Sequence, residues 1–350
     1  MLKHFTLLGI FGLLIGLNSC ETEFSLNGDY QITPVVFGLL DESDSVHLIK
    51  ITKAFLGDGN NLVYAKNPDS NYFAQVDARI TEYNFEGDAT GRVWQLKDTI
   101  IENKSTDGVF YSPEQKVYYF TANDLVSDYA YQLDADFNEG QASITAFTGL
   151  IKNFSAPSKY DPGIQKLSFA INNVDEDKDY KVVRADFTPG TNVGLFQYGY
   201  TFNWEEHYES GEVKTFSLYR NIGTEDDLSS APLYSGIEFY RWIQESIPDD
   251  PEVVTRKVIG FDMHISVAHS TFAQYLSVSQ PVSGIAQVQP VFTNIEGGYG
   301  LFSSRKQYIK KDLQLDAPST KELANGQFTI TKRFCSSYPA HSDESYYCEE

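Results

Sequence analysis

Phe196, Tyr198, Tyr200, Phe202 and Trp204 occupy every second position of one stretch, and polar or small residues fill the places between them. An α-helix cannot gather that pattern on one face, whereas a β-strand puts alternate residues on opposite sides. The same period returns in residues 75–81, in Tyr131, Leu133, Ala135 and Phe137, and in Phe261, Met263, Ile265 and Val267. The chain therefore reads as mainly β. Residues 35–40 and 46–52 form a hairpin across the acidic turn Asp41-Glu42-Ser43-Asp44, and a second hairpin over 196–220 turns near Glu209-Ser210-Gly211-Glu212. Two short helices interrupt the strands. One, over 237–247, puts Phe239, Trp242 and Ile243 on one face and stops at Pro248; the other starts at Ser270 and carries Phe272 and Leu276. With 14% aromatic residues the chain can fill a large core, which excludes a disordered protein.

The strand pattern lapses over 152–163, where Pro157 and Pro162 stand among turn formers. This predicts two β-sandwich-like domains, residues 31–152 and 164–333, joined by a linker at 153–163, with the helices in the second. Residues 334–350 read as an irregular acidic tail.

The first twenty residues read as an address. Lys3 precedes the apolar run 5–17, which is too short to span a bilayer, and Leu17-Asn18-Ser19-Cys20 follows directly. That tetrapeptide resembles the lipobox of bacterial lipoproteins, with Asn18 a departure from the small residue usual there. The resemblance implies removal of residues 1–19, acylation of Cys20 and anchoring through several acyl chains without a membrane-spanning helix. Residues 20–30 then form an acidic tether. Glu21-Thr22-Glu23 resembles the export signal of Bacteroidota surface lipoproteins, which implies an outer-membrane, surface-exposed location.

Lipidation of Cys20 leaves Cys335 and Cys348. In an oxidising compartment this pair reads as a disulfide, with a metal pair using His341, or two free thiols, as the alternatives. The net charge of −21 excludes nucleic acid as a partner class, because such a chain repels phosphate backbones.

No catalytic signature emerges. Gly-x-Ser-x-Gly and His-Glu-x-x-His are both absent, and His264 and His269 read as separate solvated histidines. Trp204-Glu205-Glu206-His207 is the densest constellation. Adjacent strand residues face opposite ways, so Glu205 and Glu206 cannot act as a glycosidase pair, but Trp204, Glu206 and His207 remain binding candidates. Asp175-Glu176-Asp177-Lys178-Asp179 lacks the glycine and glutamate of a calcium loop, with Tyr180 and Asp186 at those places. Asn294, Gly297 and Gly298 are candidates for a ligand loop or for a structural turn that needs a close backbone approach. Nothing calls for a cofactor. The many tyrosines fit a contact surface.

Val35-Val36-Phe37-Gly38-Leu39-Leu40, Val76-Asp77-Ala78-Arg79-Ile80 and the segment Asn294-Ile295-Glu296-Gly297-Gly298-Tyr299-Gly300-Leu301-Phe302 resemble motifs of a group of Bacteroidota outer-membrane lipoproteins of unknown function. The resemblance implies an immunoglobulin-like first domain and a place beside a TonB-dependent transporter barrel. It carries no catalytic residues. The function expected is a non-enzymatic accessory or binding module, taking a transporter barrel, a glycan or a peptide as partner. A glycan-active enzyme and an adhesive surface protein are the alternatives.

Overall fold

The computed structural model describes residues 32–54, 60–102, 104–108, 110–138, 140–155, 166–171, 174, 177–279 and 291–348. The leader, Cys20, the tether, Asp175, Glu176 and most of the 153–163 linker lie outside the described residues.

The described chain is mainly β. Its strands are β1 (Thr33–Leu40), β2 (Val46–Ala54), β3 (Val76–Tyr83), β4 (Ala89–Gln95), β5 (Lys97–Ile101), β6 (Gln115–Thr121), β7 (Ala130–Phe137) and β8 (Ala142–Gly149) in the first part. The second part holds β9 (Val182–Arg184), β10 (Val193–Tyr208), β11 (Val213–Glu225), β12 (Leu233–Ser235), β13 (Val253–His269), β14 (Ile295–Glu296), β15 (Tyr299–Leu313) and β16 (Phe334–Ser336). A nine-stranded sheet runs β11-β10-β13-β15-β1-β2-β6-β5, with β16 beside β13. A five-stranded sheet runs β14-β8-β7-β3-β4, and β9 and β12 form a separate pair.

Alternation explains which side chains go inside. In β7, Tyr131, Leu133, Ala135 and Phe137 are buried while the residues between them look outward. They meet Val36, Leu40, Ile49 and Ile51 from the large sheet, and this sandwich is the first core. The second core packs Phe196, Tyr200, Phe202, Phe261 and Ile265 against the helix Gly236–Ser246, which contributes Phe239, Tyr240 and Ile243. Ser235 caps that helix through Glu238 N, and Pro248 follows its end. A third helix in this half, Ala317–Asn325, is capped by Asp316 and starts with a proline in its first turn.

A linear division at 153–163 does not describe these cores. Ile295 and Phe302 belong to the first core, although both lie far beyond the linker. β14 pairs with β8, and the first half of β15 runs parallel to β1, Val35 opposite Tyr299 through Leu40 opposite Ser304. The second half of β15 pairs antiparallel with β13. The chain thus returns late to complete its first sandwich, because β1 offers an unpaired edge that β15 satisfies. The tail is also more ordered than an irregular segment. β16 runs parallel to β13, Arg256 opposite Phe334, and the disulfide Cys335–Cys348 closes the segment behind it.

β15 also shows how the two cores relate. Phe302 points into the first core. Four and six residues on, Lys306 and Tyr308 stand opposite Val267 and Ile265 of the second. Both cores therefore lie on one side of the nine-stranded sheet. The helix Ser270–Ser279 lies on the other side, where its Tyr275 meets Phe37 edge-on at 5.8 Å.

Candidate functional site

β10 divides the Trp204–His207 cluster between the two sides of the sheet. Trp204 and Glu206 are buried on the core side. Glu206 Oε1 accepts from Arg256 Nε at 2.7 Å and from Trp204 Nε1 at 3.2 Å, and its Oε2 accepts from Tyr208 Oη at 2.7 Å. Burial alone would raise the Glu206 carboxyl, but the bonds from Tyr208, Arg256 and Trp204 outweigh it and hold the pKa below the usual value. The same contact pushes Tyr208 up to about 12. Arg256 is buried too. It donates to Lys332 O at 2.8 Å and to Pro248 O at 3.0 Å. Trp204 and Glu206 thus fasten the hairpin to the C-terminal segment, and both are almost wholly buried. His207 faces the opposite side with Glu205, its Nε2 3.5 Å from Glu205 Oε2.

Asn294, Gly297 and Gly298 act as a staple between sheets. Asn294 Nδ2 donates to Phe302 O at 2.6 Å and to Phe147 O at 3.3 Å, and its Oδ1 accepts from Phe302 N at 2.9 Å. A Cβ on Gly297 would stand 2.3 Å from Ser143 O, and one on Gly298 2.7 Å from Pro34 O. At Gly300, with φ +114°, the distance to Val36 O would be 1.9 Å. These glycines let the β14–β15 turn press against neighbouring backbone carbonyls.

The side of the large sheet away from both cores holds the site that sequence reasoning missed. Outward residues of β1 and β2 and the helix Ser270–Ser279 enclose a groove of about 340 Å³, lined by Phe37, Leu39, Val46, Leu48, Phe272 and Tyr275. Phe37 is 36% exposed, and Val46 and Leu48 47% each. Asp44 and Arg305 stand at the same groove. Outward strand positions facing water are ordinarily polar, so among the described residues these side chains form a partly exposed apolar patch.

Further along the same side, on β10, β11 and β13, the surface turns polar. Thr201 Oγ1 and His264 Nε2 are 2.8 Å apart, and Asp262 lies two residues before His264. This set does not make a nucleophile–base–acid relay. Asp262 Oδ1 accepts from Asp312 N at 3.1 Å and Oδ2 from Asn203 Nδ2 at 3.3 Å, so the carboxylate is bonded elsewhere. Burial lowers the His264 pKa, which keeps the ring neutral near pH 7. His269 does not join His264. Its Nδ1 accepts from Thr271 N at 3.1 Å and caps the helix Ser270–Ser279.

Among the described residues no group of three His, Cys, Asp or Glu side chains gathers to hold a metal ion, and no helix is long and apolar enough to cross a membrane. Cys335 and Cys348 are joined to each other. No family model matches the chain, and no curated protein matches its sequence.

Proposed function

We propose that this chain is a lipid-anchored binding module of the bacterial outer membrane, held by an acylated Cys20 and docking a protein partner on the Phe37–Leu48–Tyr275 groove. The observation that carries the reading is the groove itself. Phe37, Val46 and Leu48 stay between one third and one half exposed on strands whose opposite faces are buried, in a chain with a net charge of −21. Apolar side chains gathered beside a rigid sheet lose little entropy on binding and gain by being covered. The resemblance of Leu17–Cys20 to a lipobox supports membrane anchoring, and the resemblance of residues 35–40, 76–80 and 294–302 to motifs of transporter-associated lipoproteins supports an outer-membrane β-barrel as the partner.

Two variants test the parts separately. Cys20→Ala should abolish labelling by radioactive palmitate and release the protein from the membrane fraction. Leu48→Asp should leave labelling and melting temperature intact while removing a barrel protein from the detergent-extracted complex. Palmitate on the Cys20→Ala protein, or undiminished barrel recovery with Leu48→Asp, would refute the corresponding part.

A further inference from the structure

The polar half of the open side carries a feature that the groove does not use. Tyr219 stands on β11 opposite Thr201, and its neighbour Gly199 sits at a register shift in β10. A Cβ on Gly199 would be 3.0 Å from Tyr219 Oη and 3.2 Å from its Cε2. The nearest atom to that Cβ is Arg220 O at 2.3 Å, and the hydroxyl end of the Tyr219 ring reaches over Gly199 beside it. The ring meets His264 in a T-shaped contact, with centroids 5.3 Å apart and planes at 82°. Half of Tyr219 remains exposed.

The surroundings are hydroxyls and amides held in fixed positions. Ser217 Oγ donates to Asn203 Oδ1 at 2.6 Å, and Asn203 Nδ2 donates to Asp262. Each keeps capacity to spare. Asn203 has a second amide hydrogen, Ser217 has acceptor lone pairs, and Asp262 has further acceptor sites. The charges acting on His264 are Asp262 and Lys311, one of each sign. An apolar partner would strip water from these groups without replacing their bonds.

We propose that this patch binds a neutral oligosaccharide, with a sugar ring laid on Tyr219 and its hydroxyls bonded to Asn203, Ser217 and Asp262. A flat aromatic face beside preorganised planar polar groups suits a ligand that is apolar on one face and hydroxylated at its rim. The site is separate from the proposed protein-docking groove and does not depend on it.

The test is affinity electrophoresis of the full-length lipoprotein in detergent through gels containing amylopectin, xyloglucan, galactomannan, arabinoxylan or mixed-linkage β-glucan, with polygalacturonate as an anionic control. At least one neutral polysaccharide should retard the protein. Tyr219→Ala should weaken that retardation about tenfold or more, Asn203→Ala should weaken it less, and Tyr219→Phe and Leu48→Asp should leave it unchanged. Melting curves confirm that each variant is folded. No retardation by any neutral polysaccharide, retardation by polygalacturonate alone, or full binding by folded Tyr219→Ala would overturn the assignment.

Discussion

Glu205 and Glu206 are consecutive on one strand, yet they do different work. Glu206 is sealed under the sheet, where Arg256, Trp204 and Tyr208 supply its hydrogen bonds. Glu205 lies on the other side beside His207, part exposed to water. The same division runs across the whole nine-stranded sheet. On β1, Val36 and Leu40 enter the first core while Phe37 looks out, and on β10, Phe202 is buried while Thr201 and Asn203 face His264 and Asp262. One side of this sheet carries both cores. The other carries one helix, an apolar groove and a polar patch. Stability and the proposed recognition then fall on different faces, and substitutions can be chosen to affect one without the other.

The largest contrast lies within the Glu206 cluster. Arg256→Ala leaves a buried carboxylate without its cation and should destabilise the fold by about 3–5 kcal/mol in denaturant titrations, whereas Glu205→Gln on the opposite face should change stability by no more than about 0.5 kcal/mol. Equal effects would mean that the two faces do not divide as described. Next, the double substitution Cys335→Ser with Cys348→Ser should cost roughly 3 kcal/mol by freeing the C-terminal loop, read as a lower melting temperature that reducing agent no longer changes.

Acid should act more gently. Burial lowers His264, His269 and His341, the last with help from Lys166. A lowered folded pKa means the unfolded chain binds protons more readily, so the stabilisation is present above the unfolded pKa of about 6.5 and is lost as pH falls through the folded values. The melting temperature should hold from pH 8 to 7 and decline towards pH 5, and His341→Gln should flatten part of that decline. The smallest effects on stability belong to the open side. Leu48→Asp and Tyr219→Ala should each shift it by about 0.5 kcal/mol or less, while removing the partner and the polysaccharide respectively.

Much of the fold was legible because alternation reports a strand and its buried face. The hairpin of β1 and β2, the turn at 209–212 and the buried row Phe196–Trp204 all follow from it. Alternation does not name a strand's partner, so nothing local tells β1 to run parallel to β15 from the far end of the chain. A division at 153–163 therefore puts Ile295 and Phe302 in the second domain, whereas both pack in the first core. The C-terminal segment hid for a related reason. β16 is held by β13 and by Arg256 bonding Lys332 O, both long-range, while the disulfide behind it was legible in the cysteine pair.

The site was harder to read than the fold. A glutamate on a strand looks like surface, and only the fold shows that Arg256 meets Glu206 inside. The glycines around 297–300 did signal close backbone approach, and that is how they are used. Phe37 and Leu48 gave no signal, because they sit in the runs Val35–Leu40 and Val46–Ile51, where apolar residues on both faces resemble a strand buried twice. Tyr219 was one tyrosine among 23 until its place over Gly199 distinguished it.

The most direct measurement compares photocrosslinking from two faces in intact cells, with a photoreactive residue in place of Leu48 on the open side or Val93 on the outer side of the five-stranded sheet. Both positions are about half exposed. The account predicts a discrete adduct with an outer-membrane barrel protein from position 48 and none from position 93. No adduct from position 48, or the same adduct from both, would contradict it.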